Sequence, residues 1–116
     1  MRFVLLIHEP RENRDDRSEA EGRALYAEMV AFGESLGSQL IASHSLRPDR
    51  HGVRVQTRQG QQVLRDGPFT ESKEMLGGFF LLECASLDEA LALARRCPAA
   101  HFASVEVREC APCYEA

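Results

Sequence analysis

The sequence holds no apolar run long enough for a membrane-spanning helix, which needs about 20 consecutive apolar residues. Its opening, Met1-Arg2-Phe3-Val4-Leu5-Leu6-Ile7-His8-Glu9, is too short for a signal-peptide core and has no small-residue cleavage site. It reads as a buried first strand, and the expected setting is cytoplasmic, with no membrane partner. A basic surplus is missing too: the formal net charge is -4. That argues against a nucleic-acid partner, because phosphate contacts call for clustered Lys and Arg. Glycine-rich phosphate loops, G-x-S-x-G elbows and H-E-x-x-H helices are all lacking. Phosphoryl transfer, serine hydrolysis and zinc catalysis are therefore set aside, and no cofactor or metal is expected. No internal repeat or low-complexity stretch occurs.

What is present suits one globular domain: 116 residues, 44% hydrophobic and 28% charged. A chain of this size buries a modest core, so help from a second subunit is in keeping with it. The four cysteines are Cys84, Cys97, Cys110 and Cys113. In a cytosolic chain they read as thiols. Cys110-Ala-Pro-Cys113 has C-x-x-C spacing, and two readings compete: a redox pair or half a zinc site, or a tail carrying two cysteines. A redox motif opens a helix, where the helix terminus lowers a thiol pKa, yet only Tyr114, Glu115 and Ala116 follow here. The tail reading is preferred.

Residues 2 to 8 read as a strand apolar on both faces, with Phe3, Leu5 and Ile7 against Val4, Leu6 and His8. Residues 9 to 17 read as a charged, solvated loop; a charged lid over a cleft is the less favoured alternative. Ser18-Glu19-Ala20-Glu21 is a capping box. The helix it opens shows Leu25, Met29, Phe32 and Leu36 at core spacing and ends at Gly37. A second strand covers 39 to 46. A hairpin follows, with strands at 53 to 57 and 62 to 65 around Gln59-Gly60. A strand at 76 to 84 again has two apolar faces. Ser86-Leu87-Asp88-Glu89 opens a second helix, expected to turn Leu87, Leu91 and Ala94 inward and to stop at Pro98. The last strand, 102 to 109, sets Val105 and Val107 against Glu106 and Arg108.

The order is β-α-β, an inserted hairpin, then β-α-β, an α+β chain of ferredoxin-like βαββαβ type. Strands 2–8 and 76–84 belong at the sheet centre. Two helices cover one sheet face only. The other apolar face calls for a second copy of the same sheet, hence a homodimer.

The stretch Asp66-Gly67-Pro68-Phe69-Thr70-Glu71-Ser72-Lys73-Glu74-Met75-Leu76-Gly77-Gly78-Phe79-Phe80 resembles the signature of the DGPF group of the YCII-related proteins. Residues 85–91, Cys97-Pro98-Ala99-Ala100, Val105-Glu106-Val107-Arg108, Phe3-Val4-Leu5-Leu6-Ile7 and Ala31-Phe32-Gly33-Glu34 fit as well. The resemblance covers nearly the whole chain. It implies that two copies form a dimeric α+β barrel. It also implies a His–Asp pair in a cleft, and a link of some relatives to alternative sigma factors. This chain departs from the pattern: between Ser18 and Leu36 there is no counterpart of the relatives' first-helix histidine, while His8 stands where the group often has tyrosine.

The candidate chemistry centres on Asp66. Before Gly67-Pro68 it suits a turn, its side chain bonding nearby amides. It also suits a carboxylate at a cleft mouth that takes a proton or holds a hydroxyl. His8 is either a hydrogen-bonded core residue or, if it lines a cavity, an acid–base group. His44 is a second candidate of that kind, and His51 and His101 read as loop residues. Arg65, Gly67, Pro68, Phe69, Glu71 and Lys73 are the candidate ligand-binding residues, with Arg65 and Lys73 suited to an anion. A solvated ion-pair network is the simpler reading of Glu71, Lys73 and Glu74. Three functions follow: a small-molecule enzyme using acid–base chemistry, a ligand-binding module without chemistry, and a regulatory interaction partner.

Overall fold

The computed structural model describes residues 1–68 and 72–116. In chain order the elements are β1 (Arg2–Pro10), α1 (Glu12–Asp16), α2 (Glu19–Ser35), β2 (Leu40–Ser45), β3 (Val53–Arg58), β4 (Gln61–Asp66), β5 (Glu74–Glu83), α3 (Leu87–Arg96) and β6 (Ser104–Glu109). Single 3-10 turns occupy Gly37–Gln39, Asp49–His51 and Pro98–His101. The strands apolar on both faces take the centre of an antiparallel sheet ordered β2-β5-β1-β6. The ferredoxin-like expectation holds, including the hairpin inserted between β2 and β5. In the β1–β5 register Ile7 faces Gly78 and His8 faces Leu76. Gly77 is therefore the extra residue of a bulge.

The helices cover one sheet face. Phe3, Leu5 and Ile7 of β1 and Phe80 and Leu82 of β5 pack there on Phe32 and Leu36 of α2 and on Ala90, Leu93 and Ala94 of α3. Phe32 and Phe80 meet edge to face, with centroids 5.2 Å apart. Both expected caps form: Ser18 Oγ accepts from the Glu21 amide at 3.1 Å, and Ser86 Oγ from the Glu89 amide at 3.1 Å. Gly37, at φ +58°, turns the chain out of α2.

Two expectations need correction. The inward stripe of α3 is Ala90, Leu93 and Ala94, continued by Cys97, while Leu87 is half exposed. The phase follows the small Ala90 and Ala94, which let the helix lie close to the sheet. Residues 9 to 17 are not a solvated loop: Glu9 and Pro10 extend β1, α1 follows, and Glu9 is buried.

β3 and β4 form a separate ribbon, turned by Gln59 (φ 52°) and Gly60 (φ 76°). Two successive left-handed residues match the twist of a tight hairpin. The ribbon stands away from the main sheet. The Cα radius of gyration is accordingly 16.0 Å, against about 13 Å for a compact chain of about 100 residues. Its base is latched by Arg11, which donates to Asp49 Oδ1 (2.6 Å) and to the Ser72 carbonyl (2.6 Å). That hydrogen bond holds the Asp49 carboxyl below its ordinary pKa and Arg11 above its own.

Cys84 and Cys97 are buried thiols whose pKa burial pushes up, which makes them inert. Cys110 and Cys113 are exposed and free. Among the described residues no His, Cys, Asp and Glu gather in a group able to hold a metal ion. No helix is long and apolar enough to cross a membrane.

Candidate functional site

Where β1 runs past the sheet centre, its last inward-facing residue is polar. Phe3, Leu5 and Ile7 enter the core, and Glu9, next on the same face, is 4% exposed. Its carboxylate meets the Arg14 guanidinium, brought over it by α1. Arg14 also donates to the Leu46 and Gly77 carbonyls, the latter at 2.9 Å. One side chain thus ties together the ends of β1, β2 and the β5 bulge. Residue 77 leaves the pair its room: a Cβ there would lie 2.7 Å from Glu9 Oε1 and 3.0 Å from Arg14 Nη2, so these side chains would have to shift. Glu9 Oε1 is fully buried, and its partner is Arg14 Nε, in direct ion-pair contact.

This pair sits in a cleft between α2 and the sheet, of about 370 Å³, within the range of small-molecule sites. Ile7, Leu25, Met29, Phe80 and Phe102 give it apolar walls; Tyr26, Ser43, His44 and Ser45 add polar groups. Arg17, the residue between α1 and the Ser18 cap, also lines it, with its guanidinium carbon 5.5 Å from the Phe102 ring centroid. That distance suits a cation–π contact.

Of the residues singled out from sequence, His44 borders the cleft through its strand, but its ring lies 5.9 Å from that of Phe79 on the helix-free face. His8 lies on the helix-free face, where its Nε2 bonds Glu106 Oε1 at 2.8 Å. The His8 bond and then the Arg108 bonds hold the Glu106 carboxyl below its ordinary pKa. Asp66 ends β4 opposite Val53, exposed on the ribbon, and Arg65 lies beside it opposite Arg54. The Gly67 amide donates to the Gly52 carbonyl (2.9 Å), the Gly67–Pro68 peptide is cis, and Pro68 is exposed. The Lys73 carbonyl accepts from the Arg11 amide at 3.0 Å. Phe69 and Glu71 lie outside the described residues. Asp66 does not line the cleft, and neither does His8.

Glu9, Arg14 and Arg17 are the cleft residues that sequence reasoning missed. The available signal was the Gly77-Gly78 pair, a gap in a central strand that something polar fills.

Residues 1–113 match the YCII-related domain family, and the chain belongs to that family. It is similar to an uncharacterised protein, R00369 of Rhizobium meliloti strain 1021, at 44% identity over 86 residues. That match spans 72% of this chain and 64% of the relative, so the chain covers less than two thirds of the relative's length. Among solved structures it is similar to 5-chloro-2-hydroxyhydroquinone dehydrochlorinase from Burkholderia phenoliruptrix AC1100, in complex with 2,5-dihydroxybenzoquinone. The TM-score is 0.55 over 96% of this chain and 94% of the other, at 21% identity, a likeness of fold.

Proposed function

We propose that this member of the YCII-related domain family is an enzyme of a small organic molecule, using acid–base chemistry in the cleft beneath α2, with Glu9 as the proton-transferring carboxylate. The observation that carries the reading is the state of Glu9: a carboxylate only 4% exposed, paired with Arg14 and lining an apolar-walled cavity of small-molecule size. Carboxylates are almost never fully buried unless paired, and this one is paired where it borders a cavity and not a solid core. Arg14 neutralises the carboxylate by engaging Oε1, and Oε2 is the oxygen that accepts a proton from a substrate hydroxyl or an acidic carbon in this reading. The His44 ring stands on the opposite sheet face beside Phe79, so it takes no part in this chemistry. The dehydrochlorinase of similar fold supports the size of the substrate, a single oxygenated ring.

The finer placement within the DGPF group rests on Asp66-Gly67-Pro68-Phe69 and on Lys73-Glu74 ahead of Leu76-Gly77-Gly78-Phe79. The working unit in this reading is a homodimer. Val4, Leu6, Phe79 and Leu81 are half-buried on the helix-free face, beside exposed Leu76. Val53 and Leu64 on the ribbon are 57% and 65% exposed. A second copy covers both surfaces with one symmetric contact. Asp66 and His8 keep their places as candidates only within that dimer, since neither lines the cleft of its own chain. The wild type is expected to sediment at twice the 13.0 kDa of one chain, and Leu6→Glu, which sets a charge on the covered face, at a single chain's mass. A wild type that sediments as a single chain at tens of micromolar rules the dimer out.

The functional test is a thermal-shift screen of wild type and Glu9→Gln against hydroxylated ring compounds and organic acids, followed by turnover assays on the hits. A ligand at a hundred times its dissociation constant stabilises by about 2.7 kcal/mol. The expected result is a hit that both forms bind, with turnover at least about 100-fold slower in Glu9→Gln, as for loss of a general base. Unchanged turnover in Glu9→Gln removes Glu9 from the chemistry.

A further inference from the structure

We infer that the molecule this cleft takes is a single-ring organic anion, and that Arg17 is the residue that selects for its charge; the inference rests on the cleft reading above. Three charged side chains line the cleft: Glu9, Arg14 and Arg17. The first two neutralise each other, and Arg14 spends further N–H groups on the Leu46 and Gly77 carbonyls. Arg17 differs. Among the described residues no carboxylate lies within 4.0 Å of it and nothing accepts a hydrogen bond from it. The nearest acidic turn, at the start of α2, has its Glu19 engaged by Arg23 at 2.9 Å. The side chain is held instead by stacking over Phe102.

Stacking leaves the N–H edge of a guanidinium open, and that planar fork matches a carboxylate or a pair of acidic ring oxygens in a bidentate way. The cleft therefore carries one uncompensated positive charge in a chain whose net charge is -4. An apolar surround strengthens such a charge, because water screens it less. The ring fits the walls formed by Leu25, Met29, Phe80 and Phe102. Its anionic edge meets Arg17 at the mouth, and a hydroxyl or acidic carbon on the ring meets Glu9.

Equilibrium binding of 4-hydroxybenzoate and of its neutral isostere 4-hydroxybenzamide tests this on wild type, Arg17→Gln, Arg17→Lys and Glu9→Gln, each with its Tm measured. The wild type is expected to bind the acid about tenfold or more tightly than the amide, the scale of one charge-assisted contact. Arg17→Gln is expected to abolish that preference at an unchanged Tm, and Arg17→Lys to keep part of it. Equal binding of acid and amide overturns the anion assignment and leaves the cleft reading standing. Binding of neither compound, or an acid preference that survives in Arg17→Gln, overturns the anion assignment, while the cleft reading falls only if turnover is unchanged in Glu9→Gln.

Discussion

Replacing Glu9 by alanine is expected to cost about 3 kcal/mol of stability, the lower end of what breaking a buried ion pair costs. The lower end applies because the Arg14 side chain is 22% exposed and keeps its bonds to the Leu46 and Gly77 carbonyls. In a chain of this size that is a fall in Tm of on the order of 10 °C. The loss comes from the guanidinium left behind, which stays charged beside the sheet with no counter-ion. Glu9→Gln keeps an acceptor beside Arg14 and is expected to lose about half as much. The double variant Glu9→Ala/Arg14→Met removes the stranded charge, so it is expected to be more stable than Glu9→Ala alone. Urea midpoints for the three variants settle the matter. A Glu9→Ala protein within about 0.5 kcal/mol of wild type, the range of ordinary surface substitutions, means that the pair does not clamp the strand ends. Glu9 would then serve the cleft alone. The two roles separate cleanly, because the catalytic role predicts loss of turnover in the glutamine variant as well, where most of the stability survives.

The fold was legible wherever a periodic pattern met a local signal. Two-faced apolar strands marked β1 and β5 as central, and Ser18 and Ser86 marked the helix starts, because capping is decided within four residues. In α3 Ala94 is buried as expected and Leu91 half-buried, but Leu87, a core residue by type, is half exposed, and Ala90 and Leu93 complete the inward face. The candidate site was legible in part. His44 borders the cleft through its strand, with its ring on the other face beside Phe79. The decisive residues did not stand out, since Glu9, Arg14 and Arg17 lie in a run whose composition suits a solvated loop equally well. What distinguishes the two is a partner far along the chain, Gly77, and such pairings leave no periodic trace. Asp66 stands as the last residue of β4, opposite Val53. That this end of the ribbon lies away from the cleft is a matter of how the hairpin leaves the sheet, and alternation within the strands is silent on that.

Gly78→Ala is expected to cost about 2 to 3 kcal/mol, the upper part of the range for overpacking a close contact. A Cβ at this position would sit 2.8 Å from the His44 carbonyl oxygen and 3.4 Å from the Ser45 Cα. Both are backbone atoms of β2, which pairs with β5 from Leu40 to Ser45. The new methyl group cannot be relieved by rotating a side chain, so the edge strand must move or part of its pairing must open. Gly77→Ala makes the opposite case. Its Cβ meets Glu9 Oε1, Glu9 Cδ and Arg14 Nη2, which are side-chain ends able to give way. A smaller loss, about 1 kcal/mol, is expected there, together with displacement of the ion pair and weaker ligand binding in the cleft. Gly37→Ala calibrates both: it has φ +58° and open space around its Cβ, so only backbone strain counts, about 1 kcal/mol. Urea midpoints of the three variants rank these effects, and a ligand-induced Tm shift reads the cleft. If Gly78→Ala matches wild type while Gly77→Ala collapses, then β2 has the freedom to move and the Glu9–Arg14 pair does not. The rigid part of the molecule would then be the floor of the cleft, as an acid–base site that must hold its carboxylate in place requires.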